Sequence, residues 1–154
     1  MAITQRLKDF LDSKQVHYDV LGHQVAYTAP ELAHALHVPG KELAKVVVTK
    51  VGKQFVMTVL PSTWNVDLTS LTRVFGTKEV RLATEEELRG LFPDCDVGAM
   101  SPFGNLYGLG TYVDQTLTED EQIVFQGGTH CDAVRMRYQD FAELAHATVA
   151  EFHG

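Results

Sequence analysis

Residues 43–51 read Leu-Ala-Lys-Val-Val-Val-Thr-Lys-Val, a β-branched, apolar run with the character of a buried strand. Lys45 stands at its head with apolar neighbours on both sides. An unpaired ammonium is costly to bury, so a cation placed there calls for an anion to meet it. The competing reading is an edge-strand lysine whose stem packs while its amine reaches water. Two glycine-containing segments lie further on, Gly98-Ala99-Met100-Ser101-Pro102-Phe103-Gly104 and Gln126-Gly127-Gly128-Thr129-His130. Each can bring bare backbone N–H groups close to a ligand. One cation with two N–H-rich loops is equipment for a phosphorylated or carbonyl-bearing substrate.

Each segment also has a plain structural explanation. Ser101-Pro102-Phe103-Gly104 has turn chemistry and needs no ligand. The functional alternative has the amides around Gly98 to Met100 facing a substrate, with Phe103 as a wall. Two consecutive glycines after a strand mark a bulge or a close backbone approach. His130 is a candidate ligand contact or general acid/base, although a lone histidine more often does neither. Cys131 beside it does not form a nucleophile–base pair, because adjacent side chains of an extended segment point to opposite faces. The histidines and cysteines lack a recognisable zinc spacing, so neither metal nor cofactor is expected. P-loop, dinucleotide-binding and nucleophile-elbow motifs are missing as well.

The elements that must hold these residues can be read in order. A first helix is expected from Thr4 to about Lys14, with Thr4 as its cap and Ile3, Leu7, Phe10 and Leu11 on one face. His17–Leu21 is a short strand. Thr28-Ala29-Pro30-Glu31 is a capping box that opens a helix ending near His37. Leu43–Val51 and Gln54–Leu60 flank Gly52-Lys53 as a hairpin closed by Pro61. Asp67 caps a helix that ends at Gly76. Val80–Leu82 is a strand, and Thr84-Glu85-Glu86-Glu87 opens a helix stopped before Pro93. Thr111–Asp114, Gln122–Gln126 and Ala133–Arg137 are strands, and 140–152 is expected to be one C-terminal helix. The mixture predicts an α/β fold in a single domain, residues 1–154, with one mixed, curved, barrel-like sheet and helices packed outside.

The bulk composition narrows the field. The chain has 154 residues, 45% hydrophobic and 21% charged, which is ordinary for a folded domain. It lacks an apolar run of the roughly 20 residues needed to cross a bilayer, and a signal-peptide core is not visible. Two cysteines do not make a disulfide framework, so a reduced, cytoplasmic setting without membrane contact is expected. The formal net charge of −7 argues against indiscriminate nucleic-acid binding. The charge is uneven, however: residues 41–81 carry +4 and the remainder −11. One basic flank on an acidic body is compatible with docking a polyanion at a single face, or with a merely solvated surface.

Taken together, Lys45-Val46-Val47-Val48, Gly98 to Gly104 and Phe125 to His130 resemble the YbaK/prolyl-tRNA-synthetase-associated domain family, over nearly the whole chain. These are aminoacyl-tRNA editing domains, free-standing or inserted in prolyl-tRNA synthetase. The resemblance implies hydrolysis of the ester between a wrong amino acid and tRNA. It implies that Lys45 holds the tRNA 3′ end or polarises the ester. Gly98, Ala99 and Met100 would supply backbone donors, and Gly127-Gly128 would close the other side of the pocket. It also implies that water is activated largely through the substrate's own terminal ribose hydroxyl, so a missing triad is expected. The alanine-editing branch resembles Phe-His-Pro-x-x-Asn where this chain has Phe125 to His130. The histidine of that motif falls at Gln126 and its asparagine at His130.

The leading expectation is a trans-acting aminoacyl-tRNA deacylase for a small amino acid of the serine, threonine, alanine and cysteine set. Lys45, Gly98, Ala99 and Gly128 are the catalytic candidates. Tyr27, Met57, Val59, Met100, Ser101, Phe103, Gly127, Thr129 and His130 are the substrate-binding candidates. The partners would be the 3′ aminoacyl end of tRNA and an aminoacyl-tRNA synthetase. Gly127 and Gly128 are expected to be glycines because the aminoacyl group comes close to them. The rival from another class is a non-catalytic nucleic-acid or nucleotide-binding module of the kind labelled DNA-binding.

Overall fold

Hydrophobic alternation and turn chemistry produce two sheets in the computed structural model, which describes residues 2–154. The chain runs α1 (Gln5–Ser13), β1 (Tyr18–Gly22), α2 (Ala29–Leu36), β2 (Ala44–Val51), β3 (Gln54–Pro61), α3 (Leu68–Phe75), β4 (Val80–Leu82) and α4 (Glu85–Leu91). It continues through β5 (Gly110–Asp114), β6 (Gln122–Thr129), β7 (Asp132–Arg137), α5 (Tyr138–Ala145) and β8 (Thr148–Ala150). One sheet has the order β1-β7-β6 and is antiparallel; the other has the order β4-β2-β3-β5-β8 and is mixed. The mixed α/β class is as expected. The single barrel-like sheet resolves into two open sheets, joined where Leu43 bridges Val124 in parallel.

The two sheets face each other across the main core. Ile123, Phe125, Val134 and Met136 enter it from the smaller sheet, and Ala44, Val48, Met57, Val59 and Val113 from the larger. Phe103 is its hub, edge-on to Phe125 at 5.8 Å, to Phe141 at 5.3 Å and to Phe10 at 5.5 Å. Edge-to-face pairs of this kind add roughly 0.5–1.5 kcal/mol each beyond burial. Several terminators are where the sequence puts them. Gly52 turns the β2–β3 hairpin with φ +59°, Asp67 caps α3, and the Thr84–Glu87 capping box is complete. At α2 the Thr28 hydroxyl accepts from Glu31 N, but the Glu31 carboxylate reaches back to Tyr27 N instead of closing the box on Thr28.

The expected C-terminal helix over 140–152 is corrected. α5 stops at Ala145 because His146 adopts the left-handed conformation, and the β-branched Thr148-Val149 pair goes into β8 beside β5. Phe152 therefore buries against Leu60 and Leu71, away from α5's own face. The following turn is fixed by Asp114, fully buried, which accepts from Phe152 N (2.7 Å), His153 N (3.0 Å) and Thr116 N (3.1 Å). Burial alone would raise its pKa, but these donors hold the carboxyl below the usual value.

The Gly127-Gly128 pair is a β-bulge, where the β6–β7 register shifts between Gln126 and Thr129. A close neighbour of the pair is the chain's own N-terminal segment. A Cβ on Gly127 would lie 2.4 Å from Ile3 Cγ2, and one on Gly128 would lie 2.2 Å from Thr4 Cγ2. Thr4 makes no side-chain cap to α1; its N–H donates to Gly127 O at 3.0 Å instead. Gly128 also has φ +104°. Gly128→Ala is therefore expected to destabilise the fold by about 2 kcal/mol or more, read from the urea midpoint. Thr4→Ala in the same chain should recover the steric part but not the backbone part. A strictly additive double mutant would show that Thr4 is not what the glycine accommodates.

Candidate functional site

β2 begins on the seam between the sheets, and that placement creates the site. On one face of the strand Ala44 and Val48 enter the main core. On the other, Leu43 joins a small cluster with Leu32, Val124 and Ala133, while Val47 packs against the cluster of Leu60, Leu71 and Phe152. Lys45 falls between those two clusters. A cavity of about 200 Å³ opens there, lined by Tyr27, Thr28 and Leu32 from α2 and its approach, and by Leu43 to Val46 from the head of β2. Gly98, Met100 and Gln126 complete the wall.

Lys45 is half-buried, and burial pulls its pKa below the usual lysine value. Its Nζ donates to Asn65 Oδ1 at 3.3 Å, a neutral acceptor. No carboxylate among the described residues pairs with it. The anion that the sequence calls for is thus not supplied from within. Opposite stands the 96–100 loop. Asp96 N donates to Gly128 O (2.8 Å), Gly128 N to Ala99 O (2.9 Å), Ala99 N to Asp96 O (3.0 Å), and His130 N to the Asp96 carboxylate (3.2 Å). The Gly98 and Met100 N–H groups take no part in this lacing. Gly98 has φ +87°, a conformation that side chains rarely adopt.

The structure brings Lys45, Gly98, Met100 and Tyr27 together and leaves the other sequence candidates elsewhere. Met57, Val59 and Phe103 are fully buried in the main core, because their strand and loop positions face the opposite sheet. Ala99 is fully buried with both backbone groups spent, and Ser101 is buried beyond the cavity lining. Gly127 and Gly128 back the loop, with the Gly128 N–H already donated. Thr129 is tied to Asp132 at 2.7 Å. His130 stacks behind Tyr27, ring centroids 4.9 Å apart, and its Nε2 meets Val97 O at 2.9 Å. A carbonyl partner makes Nε2 the donor, so in the neutral ring Nδ1 is the bare nitrogen, buried without a partner. Cys95 lies outside the cavity lining, and burial pushes its thiol up to about 11.

Sequence reasoning missed Gln126 as a lining residue. Its Oε1 is buried with no hydrogen-bond partner. The signal was available, because Gln126 interrupts Ile123-Val124-Phe125 just as Lys45 interrupts its own run. Asn65 carried no such signal, since only the fold brings it to Lys45. The basic flank is thinner than its count implies. Lys41 pairs with Asp120 at 3.4 Å and Arg81 with Glu87 at 2.8 Å. Lys50, Lys78 and Arg81 gather around Gly52 at the hairpin end, with Lys50 about 16 Å along β2 from Lys45.

The aminoacyl-tRNA editing domain family model matches residues 23–144. Among solved structures, one described as a "putative trans-editing enzyme for prolyl tRNA synthetase" superposes with a TM-score of 0.86 at 25% identity, covering 97% of this chain and 96% of that one. A protein described only as hypothetical gives 0.88 at 19%, covering 97% and 100%. A scaffold used for computational epitope grafting gives 0.84 at 21%, covering 97% and 96%. The last two likenesses speak to the fold alone. No curated protein matches the chain.

Burial of Lys45 disfavours its charged form, which sets a sign for stability. The cost is full below the lowered folded-state pKa and vanishes above the usual lysine value, where both states are neutral. Lys45→Met is expected to match or exceed the wild-type stability at pH 7. The advantage should shrink as the pH rises through the lysine range, as read from denaturant midpoints. Destabilisation at pH 7 would mean that the ammonium has a partner within the fold.

Proposed function

The chain belongs to the aminoacyl-tRNA editing domain family, and from that premise we propose that it is a trans-acting deacylase acting on a mischarged small amino acid. The observation that carries the reading is the half-buried Lys45 ammonium without a carboxylate, facing a cavity whose opposite loop keeps amides uncommitted. In ester hydrolysis, water adds to the acyl carbon, negative charge gathers on the carbonyl oxygen, and the C–O bond to the ribose breaks. The ribose oxygen leaves with a proton. Lys45 and the Gly98 amide are donors of the type that stabilises such an oxyanion, and a dry setting strengthens them. Among the described residues neither a carboxylate nor an imidazole lines the cavity, and the reading has the neighbouring ribose hydroxyl of the substrate accept the proton of the attacking water while passing its own to the departing ribose oxygen.

The size of the cavity, about 200 Å³, favours a small aminoacyl group, and Met100 and Leu32 give its lining an apolar part. Serine, threonine, alanine and cysteine remain the set. The orphaned Gln126 oxygen favours a bound group that brings a donor, such as the α-ammonium. The whole chain is read as one cytoplasmic editing domain that meets tRNA released by a synthetase, with Lys50, Lys53 and Lys78 near the acceptor stem. The neighbour described as serving prolyl-tRNA synthetase makes tRNA for proline the first substrate to try. The rival, a binding module without turnover, would bind these RNAs and leave the ester intact.

Incubation with a panel of mischarged tRNAs should show hydrolysis of one or a few small aminoacyl esters, while Lys45→Ala should lower the rate by 10²-fold or more. His130→Ala should cost much less than the 10²–10⁴-fold typical of a general acid/base, and should keep the shape of the pH–rate profile. Loss of a titration near neutrality in that variant would restore a histidine mechanism. Lys50→Glu and Lys78→Glu should raise KM and reduce the slope of log KM against log salt by about one for each phosphate the variant no longer neutralises. Salt-independent kinetics would move the RNA-binding face elsewhere.

A further inference from the structure

The residue before Asn65, the partner of Lys45, carries an aromatic side chain that the core does not use. Trp64, the only tryptophan, remains 40% exposed in the turn after β3. It is nevertheless firmly held. Its backbone N–H donates to Pro61 O at 3.1 Å, and the next residue is tied to the C-terminal segment by Asn65 N to Gly154 O (3.4 Å) and Gly154 N to Asn65 O (2.9 Å). The ring of His153 lies against the indole, centroids 4.6 Å apart and tilted by 53°. His153 is in turn fixed by Asp114, with Nδ1 2.9 Å from the buried carboxylate. Asn65 then carries the arrangement to Lys45 through its 3.3 Å bond.

A large, partly exposed indole, packed on one side by His153 and one residue from the asparagine that holds an unpaired cation, offers the two parts that bind single-stranded nucleotides. The ring stacks a base and the cation meets the phosphate next to it. We propose that Trp64 is a stacking platform for an unpaired nucleotide preceding the terminal adenosine of the substrate RNA. It would thereby set the direction from which the 3′ end enters the Lys45 cavity. This rests on the deacylase reading for the identity of the RNA, but not for the stacking itself. A protein partner is the less favoured occupant, because the feature is one exposed ring and not a broad apolar face.

The single tryptophan makes the test direct, since all indole fluorescence reports this position. Titration with an uncharged RNA hairpin ending in an unpaired NCCA tail should quench the emission saturably. The same stem trimmed to a blunt end should quench far less. In a deacylation assay, Trp64→Ala should raise KM for the aminoacylated hairpin about 5- to 100-fold, the range that one base stack contributes. It should affect an aminoacyl ester of adenosine alone much less, and Trp64→Phe should recover most of the loss. Equal quenching by tailed and blunt stems, or equal penalties on hairpin and adenosine esters, would overturn the platform. Tail-dependent quenching without any ester hydrolysis would uphold the platform and reject the deacylase reading.

Discussion

One strand serving two sheets is the constraint on which the rest of this structure depends. β2 pairs with β3 and β4 in the larger sheet, yet Leu43, at its head, bridges to Val124 of the smaller one. At such a junction the usual division into a core face and a water face breaks down. Residues before it belong to one apolar cluster and residues after it to another. The position between them is shielded by both and filled by neither. A lysine there is desolvated enough to weaken its hold on the proton, and still has open space in front of it.

The opposite wall is assembled from backbone, and its economy is instructive. Asp96, Ala99, Gly128 and His130 lace the 96–100 loop to the bulge, spending most of the polar groups nearby. What remains uncommitted is a short arc of amides next to the cavity. Rigidity of this kind matters because donors that are already oriented need no reorganisation when charge develops on a bound oxygen. His130, bonded to Asp96 and to Val97 O, braces the loop more than it equips it.

Much of this architecture was legible because it rests on local rules. The β2–β3 hairpin, the Asp67 and Thr84 caps and the Lys45 anomaly all follow from residue type at a given position. Misreadings came where distant partners decide the outcome. Thr148-Val149 reads as the tail of a helix until β5 offers it an unpaired edge. Gly127-Gly128 reads as space for a ligand, and only the fold shows that Ile3 and Thr4 fill that space. Met57 and Val59 have the right size for a pocket wall but face the wrong side of β3, and pleat direction relative to a seam is not written in the chain. Gln126 could have been found by the logic that found Lys45.

The packing of Ile3 and Thr4 into the bulge also bears on how the molecule comes into being. Residues near the start of the chain are captured by the bulge at the end of β6, and the same bulge positions the loop that faces Lys45. Closing so long a loop carries an entropic cost that must be met before its contacts return anything. The cavity exists only once both sheets have met, because its lining comes from β2 of one and β6 of the other. During synthesis the hairpin that carries Lys45 emerges well before the wall opposite it, so an early intermediate would display the apolar head of β2 uncovered. That interval is when such a chain is most exposed to aggregation, and most dependent on rapid completion of its second half.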